Sequence, residues 1–133
     1  MSNTDKQVIG KMGEDAAAAF LEKNGFTVIG RNIRISHKEI DLIAENDTHL
    51  VFVEVKTRRQ DPNVRSPFGR PADAVDFRKR KNVAKGAQLY LYQNPPQKMP
   101  RIDVIEVFIS PNNPPCVQSI NWFKNAFGAG GQL

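Results

Sequence analysis

Residues 39–59 read Glu39-Ile-Asp41-Leu-Ile-Ala-Glu45-Asn-Asp-Thr-His-Leu50-Val-Phe-Val-Glu54-Val-Lys56-Thr-Arg58-Arg59. Two strand-like runs, 38–45 and 50–58, flank Asn46-Asp47, which favours a tight turn, so an antiparallel hairpin is expected. In the second run Leu50, Phe52, Glu54 and Lys56 share one face, and Val51, Val53 and Val55 share the other. A strand apolar on both faces is ordinarily central and covered on both sides. At its far end stand a carboxylate and an ammonium, about 6.6 Å apart on one face. Burying such charges is costly unless they are paired or hold a cation. In the first run alternation puts Glu39 and Asp41 together, opposite Ile40 and Leu42. Hairpin pairing then sets Asp41 beside Glu54 and Lys56.

The remaining elements assemble around this hairpin. Residues 6–24 carry Val8, Ile9, Met12, Ala16, Ala19 and Phe20 at helical spacing, and Gly25 supplies a stop. Residues 26–31 form a short β-branched strand. Residues 59–71, with three prolines, form a loop. A second helix over 73–92 buries Val83, Ala84, Ala87 and Leu91, and Pro95-Pro96 follow its end. Residues 101–110 return as a strand, and 117–123 suit a short edge strand. The order α-β-β-β-α-β(-β) predicts an α/β fold, a mixed central sheet flanked by helices. One domain is expected over 1–133, with a core over about 9–110 and a flexible tail over 124–133.

The chain has 133 residues, 19 Lys plus Arg, 14 Asp plus Glu and a net charge of +5. One cysteine, Cys116, excludes an internal disulfide and a multi-cysteine zinc site. With no apolar run of about 20 residues and no signal-peptide pattern, a cytoplasmic protein without a membrane span is expected. Residues 56–85 hold ten basic and three acidic side chains, an excess of +7, whereas the other 103 residues sum to −2. Charge so concentrated points to a phosphate-bearing partner or, as the plain alternative, to a solvated helix face and loop.

Two carboxylates held together repel unless a cation or proton compensates. An oxygen-rich set without histidine favours Mg²⁺ or Mn²⁺, and a lysine beside it can neutralise charge on a phosphoryl oxygen. Taken alone, Glu54-Val-Lys56 reads as an ordinary ion pair on a half-exposed strand; the Asp41 carboxylate one strand upstream, the apolar flanks and Arg58-Arg59 shift the reading towards a site. His37, His49 and Cys116 lack partners at catalytic spacing, and phosphate-loop, nucleophile-elbow and zinc-protease motifs are absent.

Asp41…Glu54-Val-Lys56 resembles the D…(D/E)-x-K core of the restriction-endonuclease-like nuclease superfamily. The wider pattern resembles the bacterial YraN family, small uncharacterised proteins related to archaeal Holliday-junction resolvases. It includes Gly13-Glu14, Arg31-Asn32-Ile-Arg34, Glu39-Ile-Asp41-Leu-Ile-Ala44, Phe68-Gly69, Ala74-Val75 and Arg101-Ile-Asp103-Val. The resemblance implies that Asp41 and Glu54 bind the metal, that Glu14 helps to hold it, and that Lys56 completes the site. Lys38 stands where the family usually has glycine, and Ile40 replaces the superfamily proline. Glu39 is either an outer carboxylate or a partner for a basic side chain, and Asp103 is expected to brace the fold with Arg101.

The basic segment then supplies candidate nucleic-acid contacts: Arg58, Arg59, Arg70, Arg78, Lys79 and Lys81. Few aromatic residues interleave with them, so phosphate and shape recognition is expected rather than base stacking. DNA is favoured over RNA. The expected function is a metal-dependent DNA endonuclease acting on branched or damaged DNA; the alternative is a non-catalytic nucleic-acid-binding module or adaptor on the same scaffold. Resolvase relatives act as two-fold dimers, so the resemblance implies a homodimer, with Trp122, Phe123 and Phe127 as interface or satellite-core residues.

Overall fold

A computed structural model describes residues 3–59 and 77–126. Its elements are α1 (Asn3–Lys23), β1 (Thr27–Ile35), β2 (Lys38–Glu45), β3 (His49–Arg58), α2 (Phe77–Gln93), β4 (Met99–Ile109) and β5 (Val117–Phe123). The strands form one sheet in chain order, with β3 at its centre. β3 pairs parallel with β4, and the other three neighbouring pairs are antiparallel. This is the expected mixed α/β architecture. Among the described residues no helix is long and apolar enough to cross a membrane.

The continuous apolar run of β3 has the predicted consequence. Val51 and Val53 lie in a core with Leu42, Ala44, Ile105, Val107, Ala17 and Leu21, beneath α1. Leu50 and Phe52 lie in a second core with Ile43, Ile102, Val104, Val83 and Ala87, beneath α2. The buried row of α1 is Ile9, Ala17 and Leu21 rather than Val8 and Ala19; Val8 is 50% exposed. The four-residue spacing through the tightly docked Gly13 sets that row, and the more scattered apolar pattern does not reveal it.

Helix and hairpin ends are closed locally. Gly25, at φ 90°, lets Phe26 N–H donate to the Leu21 carbonyl and Gly25 N–H to the Glu22 carbonyl, a Schellman ending. Between β2 and β3 the Asn46 side chain accepts from the backbone N–H groups of Thr48 and His49 at 3.0 and 2.7 Å.

β1 runs four residues beyond its expected end, because Ile33 and Arg34 pair with Ile40 and Glu39. Residues 124–126 are likewise not a loose tail: Asn125 N–H donates to Asp103 and Ala126 N–H to the Ile102 carbonyl. Fully buried Asp103 also accepts two bonds from Arg101 and one from Trp122 Nε1, at 2.8 to 3.0 Å, the expected brace. Trp122 is a core contact, edge-to-face with Phe20 and Phe26, and Phe123 packs against the α2-side core. Phe127 lies outside the described residues.

Ser36-His37 joins β1 to β2 as a two-residue turn, with φ 47° and 66°. Such a turn favours Asn-Gly, and each ordinary residue held there costs about 1 kcal/mol. The double substitution Ser36→Asn/His37→Gly is expected to raise the melting temperature by a few degrees, read by a thermal melt. An unchanged or lower value would show that the turn is unstrained.

Candidate functional site

The site forms where β2 and β3 part. β2 pairs with β3 only from Leu42↔Val53 to Glu45↔Leu50, yet it stays on β1 as far as Lys38. The Asn46 N–H donates to the His49 carbonyl, and continuing that alternation would aim the Val55 N–H at the Ile40 carbonyl. Asp41 Oδ2 takes that N–H instead, at 2.8 Å. The carboxylate therefore lies in the opening of the fork, against the residue between Glu54 and Lys56.

The expected face alternation fails at this point. Ile40 belongs to the core under α2, but Leu42 belongs to the core under α1. β2 thus turns over at Asp41, which faces β3. Across the ladder, Asn32 lies opposite Asp41, between the pairs Arg31↔Leu42 and Ile33↔Ile40, and has a left-handed φ of 49°. Glu39 pairs with Arg34 across the hairpin at 3.9 Å, so the basic-partner alternative holds for it. Lys38 donates to Asn82 of α2 at 3.2 Å, fastening the helix to β2 beside the turn.

On β3, Glu54 is 2% exposed and Lys56 is half-buried. Strand alternation puts both on the α2 side, continuing the row of Leu50 and Phe52. Arg58 follows on that row, half-buried. Arg59 Nε and Nη2 donate to the carbonyls of Ser110 and Asn112, so its guanidinium also braces the β4–β5 loop. Lys81 is exposed on α2, and Arg78 and Lys79 occupy its first turn. Arg70 lies outside the described residues.

α1 brings Glu14. A Cβ on Gly13 would lie 2.9 Å from Thr57 Cβ and Cγ2, so only glycine lets the helix sit this low over the end of β3. Glu14 Oε1 then accepts from Asn32 Nδ2 at 3.0 Å and lies 3.8 Å from Arg31 Nη2. Asp15, bonded to Arg31 at 2.6 Å and to Lys11 at 3.2 Å, is held below the ordinary carboxyl range, by Arg31 first and Lys11 second.

The available donors are carboxylate oxygens, a set that suits a hard cation such as Mg²⁺ or Mn²⁺. Among the described residues no three His, Cys, Asp or Glu side chains converge as a ready-made cage. Mg²⁺ commonly needs only one or two carboxylates, with waters and substrate phosphate completing its shell. Asp41 and buried Glu54, flanking one peptide, fit that requirement. The sequence assigns no role to Asn32, although it lies in the Arg31-Asn32-Ile-Arg34 stretch, or to Thr57. Their signals, an Asn inside a strand and a Thr opposite a helix glycine, acquire meaning only in three dimensions.

Residues 13–107 match the model of the uncharacterised protein family UPF0102. The chain belongs to this family. UPF0102, the YraN family, includes a protein of Caldanaerobacter subterraneus subsp. tengcongensis that is 39% identical over 128 residues, 96% of this chain and 100% of the relative. One of Chloroherpeton thalassium is 40% identical over 124 residues, 89% of this chain and 92% of the relative. Another, of Symbiobacterium thermophilum, is 44% identical over 105 residues, 78% and 85% of the two chains. The UPF0102 match takes in Gly13, Glu14, Asn32, Asp41, Glu54 and Lys56.

The two glycines of α1 give opposing expectations. Gly10→Ala meets nothing within 4 Å and should stabilise by about 0.5–1 kcal/mol through helix propensity. Gly13→Ala gains the same propensity but drives a Cβ into Thr57, and overpacking of this kind costs about 1–3 kcal/mol. A net loss of stability for Gly13→Ala beside a gain for Gly10→Ala is expected in urea denaturation. Equal gains would refute the close docking of α1.

Proposed function

We propose that this UPF0102 protein is a divalent-metal-dependent endonuclease that hydrolyses DNA phosphodiester bonds, with branched or damaged DNA as its substrate class. The observation that carries this reading is the 2.8 Å bond from Val55 N–H to Asp41 Oδ2, which fixes an acid at the Glu54–Val55 peptide, one residue before Lys56. Asp41 and Glu54 would hold Mg²⁺ or Mn²⁺, with Glu14 as an outer carboxylate. When bound, the cation supplies charge neutralisation at the scissile phosphate and a more acidic attacking water. Lys56 presents its ammonium to a non-bridging phosphoryl oxygen, where negative charge grows during attack; it has no ion-pair or hydrogen-bond partner among the described residues.

Cleavage and affinity are assigned to different groups. The acids alone would repel DNA, whereas Arg58 and the basic residues of α2 attract its phosphates. Binding should therefore weaken with salt, with a log–log slope of about −0.9 for each phosphate neutralised.

A second reading, a scaffold that binds nucleic acid without turnover, is favoured by the lack of a three-ligand cage among the described residues. Incubation with duplex, single-stranded, flap and four-way DNA, in Mg²⁺ or Mn²⁺, separates the two. The nuclease reading expects cleavage that falls about 100-fold or more in Asp41→Asn, Glu54→Gln and Lys56→Ala, with DNA affinity largely kept. Binding without cleavage of any substrate would favour the second reading, and full cleavage by those variants would reject the assigned site.

A further inference from the structure

The proposed mechanism leaves unexplained an asparagine held in a left-handed conformation inside a strand. Asn32 has φ 49° within β1, a backbone state that L residues adopt only at a cost. Two features of its position turn that conformation to use. Its side-chain Nδ2 donates to Glu14 Oε1 at 3.0 Å, reaching from β1 to α1. Its backbone lies across the ladder from Asp41, where both strands turn over. One residue thus touches the helix acid with its side chain and flanks the strand acid with its backbone.

From this geometry we infer that Asn32 is a positioning residue for the cation site, acting through Glu14. This deepens the proposed nuclease reading and rests on it. α1 is packed on the sheet at Gly13, but a glutamate beside that contact keeps three side-chain torsions of its own. The Asn32 amide fixes Oε1, and Arg31 adds a positive charge 3.8 Å from the same oxygen. Asparagine suits the position because it tolerates the left-handed region better than most residues and carries a donor of the right reach. Aspartate would tolerate the backbone but oppose Glu14 with a like charge. Supporting residues behind metal ligands typically contribute about 10- to 100-fold in metal affinity.

The test is Mn²⁺ binding by calorimetry to the full chain without DNA, for the wild type, Asn32→Gly, Glu14→Gln and the double variant. Glycine keeps the left-handed backbone and removes only the amide. Glu14→Gln leaves the backbone untouched, keeps an oxygen for the Asn32 amide and removes the carboxylate charge through which Asn32 would act. The inference expects Asn32→Gly to weaken Mn²⁺ binding about 10-fold, with a metal-free melting temperature close to that of the wild type. It also expects the double variant to bind no more weakly than Glu14→Gln alone, since Asn32 acts only through the Glu14 carboxylate, which that change has already removed. Wild-type affinity in Asn32→Gly, or losses that multiply in the double variant, would overturn the role of Asn32 while leaving the metal site standing. A folded wild type that binds no Mn²⁺ would overturn the metal reading itself, and this inference with it.

Discussion

Val55 N–H needs an acceptor that the β2 backbone no longer supplies, and the Asp41 carboxylate is that acceptor. A part-buried N–H left unpaired costs about 1–3 kcal/mol, so Asp41 is held as firmly by the sheet as the sheet is by Asp41. The bond fixes where β2 leaves β3, and the fork in turn fixes what lies in it. Glu54 and Lys56 sit on either side of the bonded residue. Asparagine at position 41 would still offer an oxygen to Val55, so the chemistry of the acid can be separated from its structural work.

The rest of the fold keeps that fork open and covered. β3 can be central because its two faces feed different cores, one beneath each helix. α1 approaches the end of β3 through Gly13 on Thr57, which places Glu14 within reach of β1. α2 is fastened to β2 through Lys38 and Asn82. Asp103 and its four donors hold β4, β5 and the segment after β5 together on the far side of β3. Asp41 and Glu54 lie at the fork, whereas the fully buried Asp103 that braces the sheet lies elsewhere.

Much of this was legible because it depends on short-range pattern. Alternation and a turn signal gave the hairpin, and apolar flanks on both faces gave the central position of β3. Helical spacing and Gly25 gave α1 and its end. The unread features depend on pairing or on backbone conformation. Alternation placed Ile40 and Leu42 on one face, but the turnover at Asn32 and Asp41 sends them to different cores. Arg59 looked like one more cation in a basic run, whereas its hydrogen bonds reach more than fifty residues along the chain. Asn32 was visible only as part of the Arg31-Asn32-Ile-Arg34 stretch, since a left-handed φ leaves no trace in composition or spacing.

Three acids from three elements come to one end of the sheet, and the proposed cation sits on the two at the fork. Anomalous diffraction from crystals soaked in Mn²⁺ addresses that claim without any substrate. A single strong peak coordinated by carboxylate oxygens of both Asp41 and Glu54, lost in Asp41→Asn, is the expected result. A saturating soak that leaves the fork empty, or that puts Mn²⁺ only on surface acids such as Asp15 or Glu39, would contradict it.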